Sequence, residues 1–339
     1  MSEAQFPTPN PGPKWGVSAR FADIDEQAAQ LQGYGQHYEQ LSRGRFDGCF
    51  ASYYLRDSVS IHFERINRVL FQSGLSPAGR YTAMLLSEDS PPAIVNGAAF
   101  SSAELELWPP GHVFEGVMPC EMEVCVVSLP CEFVGGSGGA EIIARRIKDP
   151  RAAQQLRDLV KHGLVEFRQN PSAVRHVHAT DRFAADIGDL LSETANGLRG
   201  NGRCDNMPSA GRRRSYKRAL DLIHQNLPTG VSVASVCAGT GLSRRALEYL
   251  FESMLGMGPM HYIRALQLNA IRRALLDEET VCESIGDVAA RYGIWHWSKF
   301  SAAYSRMFGE LPSETRSRAL QSISVGGVRR DRAHGADTD

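Results

Sequence analysis

The chain lacks any uninterrupted apolar run of 18 or more residues, so no membrane-spanning helix is expected. It also lacks a C-x-x-C pair. Its seven cysteines (Cys49, Cys120, Cys125, Cys131, Cys204, Cys237, Cys282) are odd in number and scattered, which fits reduced thiols better than a disulfide framework. There is no G-x-S-x-G, no Walker-type G-x-x-x-x-G-K-[ST], and no dinucleotide G-x-G-x-x-G after a strand, so the usual motifs for a serine nucleophile or a bound nucleotide are missing. The N-terminus, "MSEAQFPTPNPGPKWG", lacks a basic segment leading into an apolar one. It reads as a partly disordered lead-in over 1–40, and a cytoplasmic location follows by default.

What is present is 339 residues, 42% hydrophobic and 22% charged, enough for two domains that each bury a core. The formal net charge of −1 conceals an asymmetry. Residues 211–339 hold 18 Lys and Arg against 13 Asp and Glu, whereas the first 210 hold 19 against 25. A basic half raises the question of nucleic acid, although a solvated charged face gives the same imbalance.

Texture divides the chain at "TANGLRGNGRCDNMPSAG", Thr194–Gly211, which is rich in Gly, Asn and Ser and lacks hydrophobic periodicity. A flexible linker is expected over 196–211. Before it, "CFASYYL", "VSIHF", "YTAMLL", "AELEL" and "EVCVVSL" alternate with Gly, Pro, Asp and Ser clusters, which predicts a small antiparallel barrel or sandwich. Two helices follow, one with Asp149 as N-cap, Pro150 at its first position and "RAAQQLRDLVKHGLVEF" as its body, the other over "DRFAADIGDLLSETA". The fold class is therefore α+β, with a β-rich domain carrying C-terminal helices over 41–195 and an all-α domain over 212–320. The stretch 321–339 reads as a disordered tail.

The helical half contains an internal repeat. "SVCAGTGLSRRALEYLFESMLGMGP" aligns with "DVAARYGIWHWSKFSAAYSRMFGELP", placing Gly241 opposite Gly293, Leu247 opposite Phe300, Phe251 opposite Tyr304 and Gly256 opposite Gly309. In each copy a short helix with a small inward residue (Cys237, Ala289) reaches a glycine suited to a sharp turn, and a second helix starts at once. This is helix-turn-helix spacing, over about 233–254 and 285–307. Ser243 is placed to cap the second helix of the first copy, with Ala246, Leu247, Leu250 and Phe251 inward and Arg244, Arg245, Glu248 and Tyr249 outward. A helix presented this way can reach base edges in the major groove. A helical connector over 261–277 joins the copies.

On these residues, about 212–320 resembles the DNA-binding domain of the AraC/XylS family of bacterial transcription regulators, the closing "FGELPSET" matching that family's terminal signature. The resemblance implies two helix-turn-helix subdomains bridged by a long helix, sequence-specific binding to double-stranded promoter DNA, contact with RNA polymerase, and usually activation. It places Arg245, Glu248 and Tyr249, with Ser243 and Arg244 beside them, at base-reading positions of the first subdomain. In the second the corresponding places fall on Trp297, Ser298 and Ala302, flanked by His296 and Lys299. Ala302 cannot hydrogen-bond a base, so the second helix is expected to supply more affinity than specificity, with Trp295 and Trp297 packing on the core or on the sugar-phosphate backbone.

The N-terminal half is less informative. "WPPGHVFEG" and its flanking strands resemble cupin-like sensor domains, and "RINRVLFQSG" with the "WHW…FGELPSET" style resembles the branch that contains the ethanolamine-operon regulator. A barrel mouth would suit a small-molecule effector, with His62, Glu64, Trp108 and His112 as lining candidates beside the plainer reading of ordinary surface residues. Neither metal nor cofactor is expected: His62 and Glu64 form only H-x-E, and His176 and His178 form H-x-H outside the strands. Cys120, Cys125 and Cys131 read as buried strand cysteines rather than redox sensors, and the glycines of "VGGSGGAE" as a loop. The leading expectation is an effector-responsive regulator that is no enzyme and dimerises through its N-terminal half. A DNA-binding protein controlled by a protein partner or by abundance, and a cupin-like enzyme with a DNA-binding tail, stand as alternatives.

Overall fold

A computed structural model of the chain describes residues 16–134, 145–197, 209–280 and 282–321. They fall into two compact units, 16–38 with 46–134 and 145–197, and 39–45 with 209–280 and 282–321. All but the first residue of the expected tail, the "VGGSGGAE" loop after Val134, Cys204 and most of the expected linker lie outside the described residues.

The first unit is a sandwich of two antiparallel sheets with helices on one outer face. One sheet has the order β1 (Gly16–Phe21), β3 (Gly48–Leu55), β4 (Val59–Ile66), β11 (Met122–Pro130), β6 (Arg80–Leu86), β9 (Leu105–Trp108), β12 (Arg145–Ile147). The other runs β2 (His37–Gln40), β5 (Leu70–Leu75), β10 (Val113–Met118), β7 (Ala93–Val95), β8 (Ala98–Phe100). Strand β4 shows how the layers are specified. Val59, Ile61 and Phe63 join a core that includes Leu156, Leu164, Phe183 and Ile187 of the helices α2 (Pro150–Gln169) and α3 (Val177–Gly197). His62 and Glu64, on the opposite face, point between the sheets. Both faces are covered, so β4 and β11 are buried almost throughout. Each large apolar side chain so buried is worth about 1.5–3 kcal/mol.

Helix α2 starts where the sequence places it: Asp149 accepts hydrogen bonds from the backbone N–H groups of Arg151 at 2.9 Å and Ala152 at 3.3 Å, and Pro150 follows. Three expectations need correction. The lead-in over 1–40 is folded from Gly16 onward, because β1 pairs along β3 and the short helix α1 (Ile24–Ala28), capped by Asp23, buries Ile24, Gln27 and Ala28. The linker is shortened at both ends: α3 continues through 194–197, and the next helix, α4 (Ala210–Asn226), takes Ser209 as its N-cap. Of the three cysteines expected to be buried only Cys125 is; Cys120 is half-buried and Cys131, after the last residue of β11, is exposed.

The second unit is helical. After α4 come α5 (Val233–Thr240), α6 (Arg244–Leu255), α7 (Pro259–Leu276), α8 (Ile285–Arg291) and α9 (Trp297–Phe308), and residues 312–321 are also helical. Helix α7, about 27 Å long at ~1.5 Å per residue, is buried on nearly every side. Its buried polar residues each hold a different piece of the unit. Gln267 Nε2 donates to the carbonyl of Tyr292 at 3.0 Å. Asn269 Nδ2 donates to the carbonyl of Gln40 at 2.9 Å, and Gln40 N–H returns a bond to Asn269 Oδ1 at 3.1 Å. Arg272 Nε lies 3.5 Å from Glu310 Oε1. The segment Glu39–Arg45 thus belongs to the helical unit, tied also by Arg273 Nη1 to Glu39 Oε1 at 2.8 Å and by Gln40 Nε2 to the carbonyl of Met307 at 2.6 Å.

Candidate functional site

Two helix pairs, α5–α6 and α8–α9, repeat one local design. Helix α5 begins with Ser232 and Ser235 capping each other's backbone N–H, and ends where Gly241, at φ 72°, donates its N–H to the carbonyl of Cys237 at 2.9 Å. Only a residue without a Cβ takes that left-handed backbone cheaply. Two residues later Ser243 caps α6, accepting from Ala246 N–H at 3.2 Å. In the second pair Ser284 caps α8, Gly293 stands in the turn at φ 78°, and α9 follows. Both second helices end on glycines at φ 70°, Gly256 and Gly309.

The inward faces match as the repeat requires. Leu247 and Phe251 in α6 and Phe300 and Tyr304 in α9 are fully buried. Two details differ from expectation. Ala246 is exposed, because the buried stripe of α6 runs Leu247, Leu250, Phe251, Met254. The innermost residue of α5 is Val236, with Cys237 half-buried; Val288 and Ala289 are both buried in α8.

The outward faces carry different chemistry. On α6, Arg244 and Arg245 are exposed in the first turn, Arg244 Nε lies 3.2 Å from Glu248 Oε1 one turn on, and Tyr249 is 61% exposed. The Arg212 guanidinium stacks over the Tyr249 ring at 5.3 Å. Arg213, Arg214, Lys217 and Arg218 add exposed positive charge along α4. On α9, His296, Ser298, Lys299 and Ala302 are exposed, as are Trp297 at 53% and Trp295, just before the helix, at 77%. Trp297 touches Phe300, with ring centroids 5.5 Å apart, but neither tryptophan is buried in the core. His296, at the N-cap position of α9, makes no side-chain capping bond, which leaves the first-turn N–H groups to other acceptors.

The family model described as a helix-turn-helix domain matches residues 215–318. The XylDLEGF operon transcriptional activator of Pseudomonas putida is 34% identical over 110 residues, which is 32% of this chain and 34% of that protein. Residues 215–318 thus form a helix-turn-helix domain, similar to that of the Pseudomonas putida activator. The regulatory protein HrpB of Ralstonia nicotianae (strain ATCC BAA-1114 / GMI1000) is 38% identical over 101 residues, 30% of this chain and 21% of that protein. The chain thus spans about a third or less of the length of these two relatives. Among solved structures, the AraC-like transcriptional activator CuxR aligns over 75% of this chain and 94% of its own at 17% identity, with a TM-score of 0.42.

In this helix-turn-helix domain, the residues named from the sequence as DNA-facing lie at the N-caps and in the first halves of α6 and α9. Glu248 is half-exposed and the other nine are exposed. Sequence reading missed Glu310 of "FGELPSET". Its carboxylate accepts from Arg318 Nη1 at 2.7 Å and Nη2 at 2.9 Å and from Thr315 Oγ1 at 2.7 Å, and Thr315 also meets Tyr304 Oη at 2.8 Å. Burial pushes the Glu310 carboxyl up, but hydrogen bonds from Arg318 and Thr315 and the charges of Arg272 and Arg318 outweigh it and hold the group below the usual range. The motif's role here is to lock the end of α9 against α7.

Between the sheets of the first unit lies a small cavity of about 20 Å³, room for about one water molecule. His62, Glu64 and Trp108 line it. His112 does not: the turn after Pro109 carries it to stack on Trp108, centroids 6.0 Å apart, so it lies outside the lining. Glu64 is buried and accepts from Gln27 Nε2 at 2.8 Å and Gln72 Nε2 at 3.2 Å. Burial raises its carboxyl above the usual range against the opposing hydrogen bonds of Gln27, Tyr38 and Gln72. His62 Nδ1 lies 2.8 Å from Ser52 Oγ, and burial, with the nearby Arg80 charge, pushes its imidazole down to about 3, so the ring is neutral at ordinary pH. Glutamines 27 and 72 were not expected. The signal for Gln72 is a lone amide within the apolar run of β5.

His176 and His178 are exposed, apart from this cavity. Among the described residues no group of three or more His, Cys, Asp or Glu side chains could hold a metal ion. No helix of the described residues is long and apolar enough to cross a membrane.

Proposed function

We propose that this chain is a sequence-specific, DNA-binding transcription regulator that answers to a small-molecule effector. The observation that carries the reading is the repeated helix-turn-helix pair within residues 215–318, each second helix offering an exposed polar or basic first turn. Helix α6 reads bases through Arg245, Glu248 and Tyr249, with Ser243 fixing the helix start and Arg244 alongside. Helix α9 contributes mainly affinity, through Lys299, His296 and first-turn N–H groups at phosphates, with Trp297, Ser298 and Ala302 against sugar or base surfaces. The small cavity of the first unit marks where effector control would act: a mostly apolar interior space with a few polar groups in its wall, His62, Glu64 and Gln72, that a small ligand would open further on binding. The same reading makes the protein a cytoplasmic activator rather than an enzyme, acting as a homodimer that contacts RNA polymerase. Activation follows the Pseudomonas putida relative, an operon transcriptional activator by name.

Selection of bound fragments from the source genome, followed by DNase footprinting with the full chain, tests this. Two protected major-groove segments about 34 Å apart on one face of the duplex are expected. Retention of no fragment over competitor DNA would overturn the reading.

A further inference from the structure

Helix α4 sets its charge against its own dipole. Arg212 and Arg213 stand at its start, with Arg214, Lys217 and Arg218 close behind, and its first turn carries no acid. The positive end of a helix dipole disfavours cations and favours carboxylates. All five side chains are exposed, and among the described residues no ion pair engages any of them. Asp221, also exposed, is the one acid of the helix. Like charges gathered at the wrong end of a dipole weaken the fold by themselves, so what they gain comes from an anion outside it.

Packing shows where that anion lies. Tyr216, buried one turn after Arg212 on the same side of α4, meets the Phe251 ring of α6 with centroids 5.9 Å apart. Arg212 therefore overhangs the outer face of α6, where its guanidinium lies over the Tyr249 ring, 5.3 Å from the centroid. Arg245 stands one turn before Tyr249 on that face. Two arginines thus bracket one exposed ring, and neither is paired with a carboxylate among the described residues. A guanidinium stacked on a ring keeps its in-plane N–H donors for a phosphate, and the ring limits the side-chain freedom lost on binding. An acidic protein surface would suit the charge alone, but the Tyr249 stack ties Arg212 to the helix that faces bases. This rests on the DNA-binding reading above: we infer that the start of α4 is a third DNA-contacting element, with Arg212 clamping a backbone phosphate at the edge of the groove that α6 enters and Arg213 holding a second. Such contacts fix the register of α6 without reading sequence, since every base pair offers the same phosphates.

Fluorescence anisotropy of the full chain on a genomic duplex that it retains and on a scrambled one, between roughly 50 and 200 mM salt, tests this with Arg212→Gln, Arg212→Lys and Arg213→Gln. Arg212→Gln should weaken both duplexes about tenfold, the size of one charge-assisted hydrogen bond, and make the slope of log affinity against log salt shallower by about 0.9. Arg213→Gln should shift the slope by a similar amount, and Arg212→Lys should keep the wild-type slope. Circular dichroism checks that each variant is folded; should Arg212→Gln fail, the slope of Arg213→Gln decides alone. The inference is overturned if Arg212→Gln keeps the wild-type slope, or if it loses affinity on the genomic duplex only, as a residue that merely positions Tyr249 would. Wild type that retains no duplex removes this inference together with the regulator reading. Wild type that binds while Arg212→Gln matches it removes the inference alone.

Discussion

Gly241 and Gly293 hold the same left-handed backbone, at φ 72° and 78°, in the turns of the two helix pairs, yet their surroundings differ. A Cβ added to Gly241 would meet nothing within 4 Å, whereas one added to Gly293 would lie 3.3 Å from Gly230 Cα and 3.7 Å from Gln267 Nε2. The first turn is constrained by its dihedral alone. The second is constrained by its dihedral and by a neighbouring loop.

Gly241→Ala is therefore expected to cost about 1–2 kcal/mol, the strain of a left-handed alanine. Gly293→Ala should cost more, since Gly230 must also give way. Thermal melting of both variants beside wild type, with DNA affinity measured on the folded material, tests the ordering. A Gly241→Ala protein as stable as wild type would place the strained turn elsewhere.

The helix pairs were legible in the sequence because their signals are local: Ser243 three residues before the N–H it caps, a glycine at each turn, and an apolar stripe of helical period. Strands β3, β4, β6, β9 and β11 were legible for the same reason. Strands β7 and β8, three residues each, are too short to show alternation, and Gly116 interrupts the pattern of β10. The binding of Glu39–Arg45 to α7 rests on a bond from Gln40 to Asn269, 229 residues away, for which no local pattern exists. Glu64 was singled out, but its partners were invisible, because Gln27 comes from α1 and Gln72 from the opposite sheet. His112 was misplaced because chain proximity to Trp108 is not shared orientation.

Glu310 gives the helical unit an acid-sensitive lock. Its folded-state pKa is depressed, so the stability it contributes is present above the ordinary glutamate value of about 4.3 and is lost as pH falls through the lower folded value. Glu310→Gln should remove about 1–3 kcal/mol at neutral pH, the size of charge-assisted bonds lost to Arg318 and Arg272. It should also flatten the acid limb below pH of about 4.3 in thermal melts of the helical signal. An unchanged acid limb would remove Glu310 from the lock.

His62 makes the opposite unit sensitive at a higher pH. The unfolded chain binds this proton near pH 6.5, the folded chain only at about 3, so stability should fall as pH drops from about 6.5 toward 3, by about 2 kcal/mol at pH 5. Glu64 acts in the other direction: its pKa is raised on folding, so the folded state takes that proton first as pH falls. Hydrogen exchange of peptides covering β4 and β11, at several pH values and corrected for intrinsic rates, reads the sum. His62→Gln isolates the histidine contribution, and its protection should fall less steeply below pH of about 6.5 than in wild type. Parallel slopes in the two proteins would mean that His62 is protonated in the fold.

The two second helices should separate by experiment, since their exposed first turns differ. Arg245 is exposed on α6 just past the Ser243 cap, and no ion pair engages it among the described residues, so its guanidinium is free for a bidentate contact to guanine O6 and N7. Arg245→Ala should then cost about 1–3 kcal/mol on the cognate duplex and far less on scrambled DNA. Lys299 stands in the first turn of α9, where the helix start lacks a side-chain cap, a setting for phosphate. Lys299→Ala should weaken both duplexes by similar factors and make the slope of log affinity against log salt shallower by about one unit. Fluorescence anisotropy titrations of both variants on both duplexes, between roughly 50 and 200 mM salt, supply the four comparisons. Equal losses on both sequences for Arg245→Ala, together with a cognate-only loss for Lys299→Ala, would move base reading from α6 to α9.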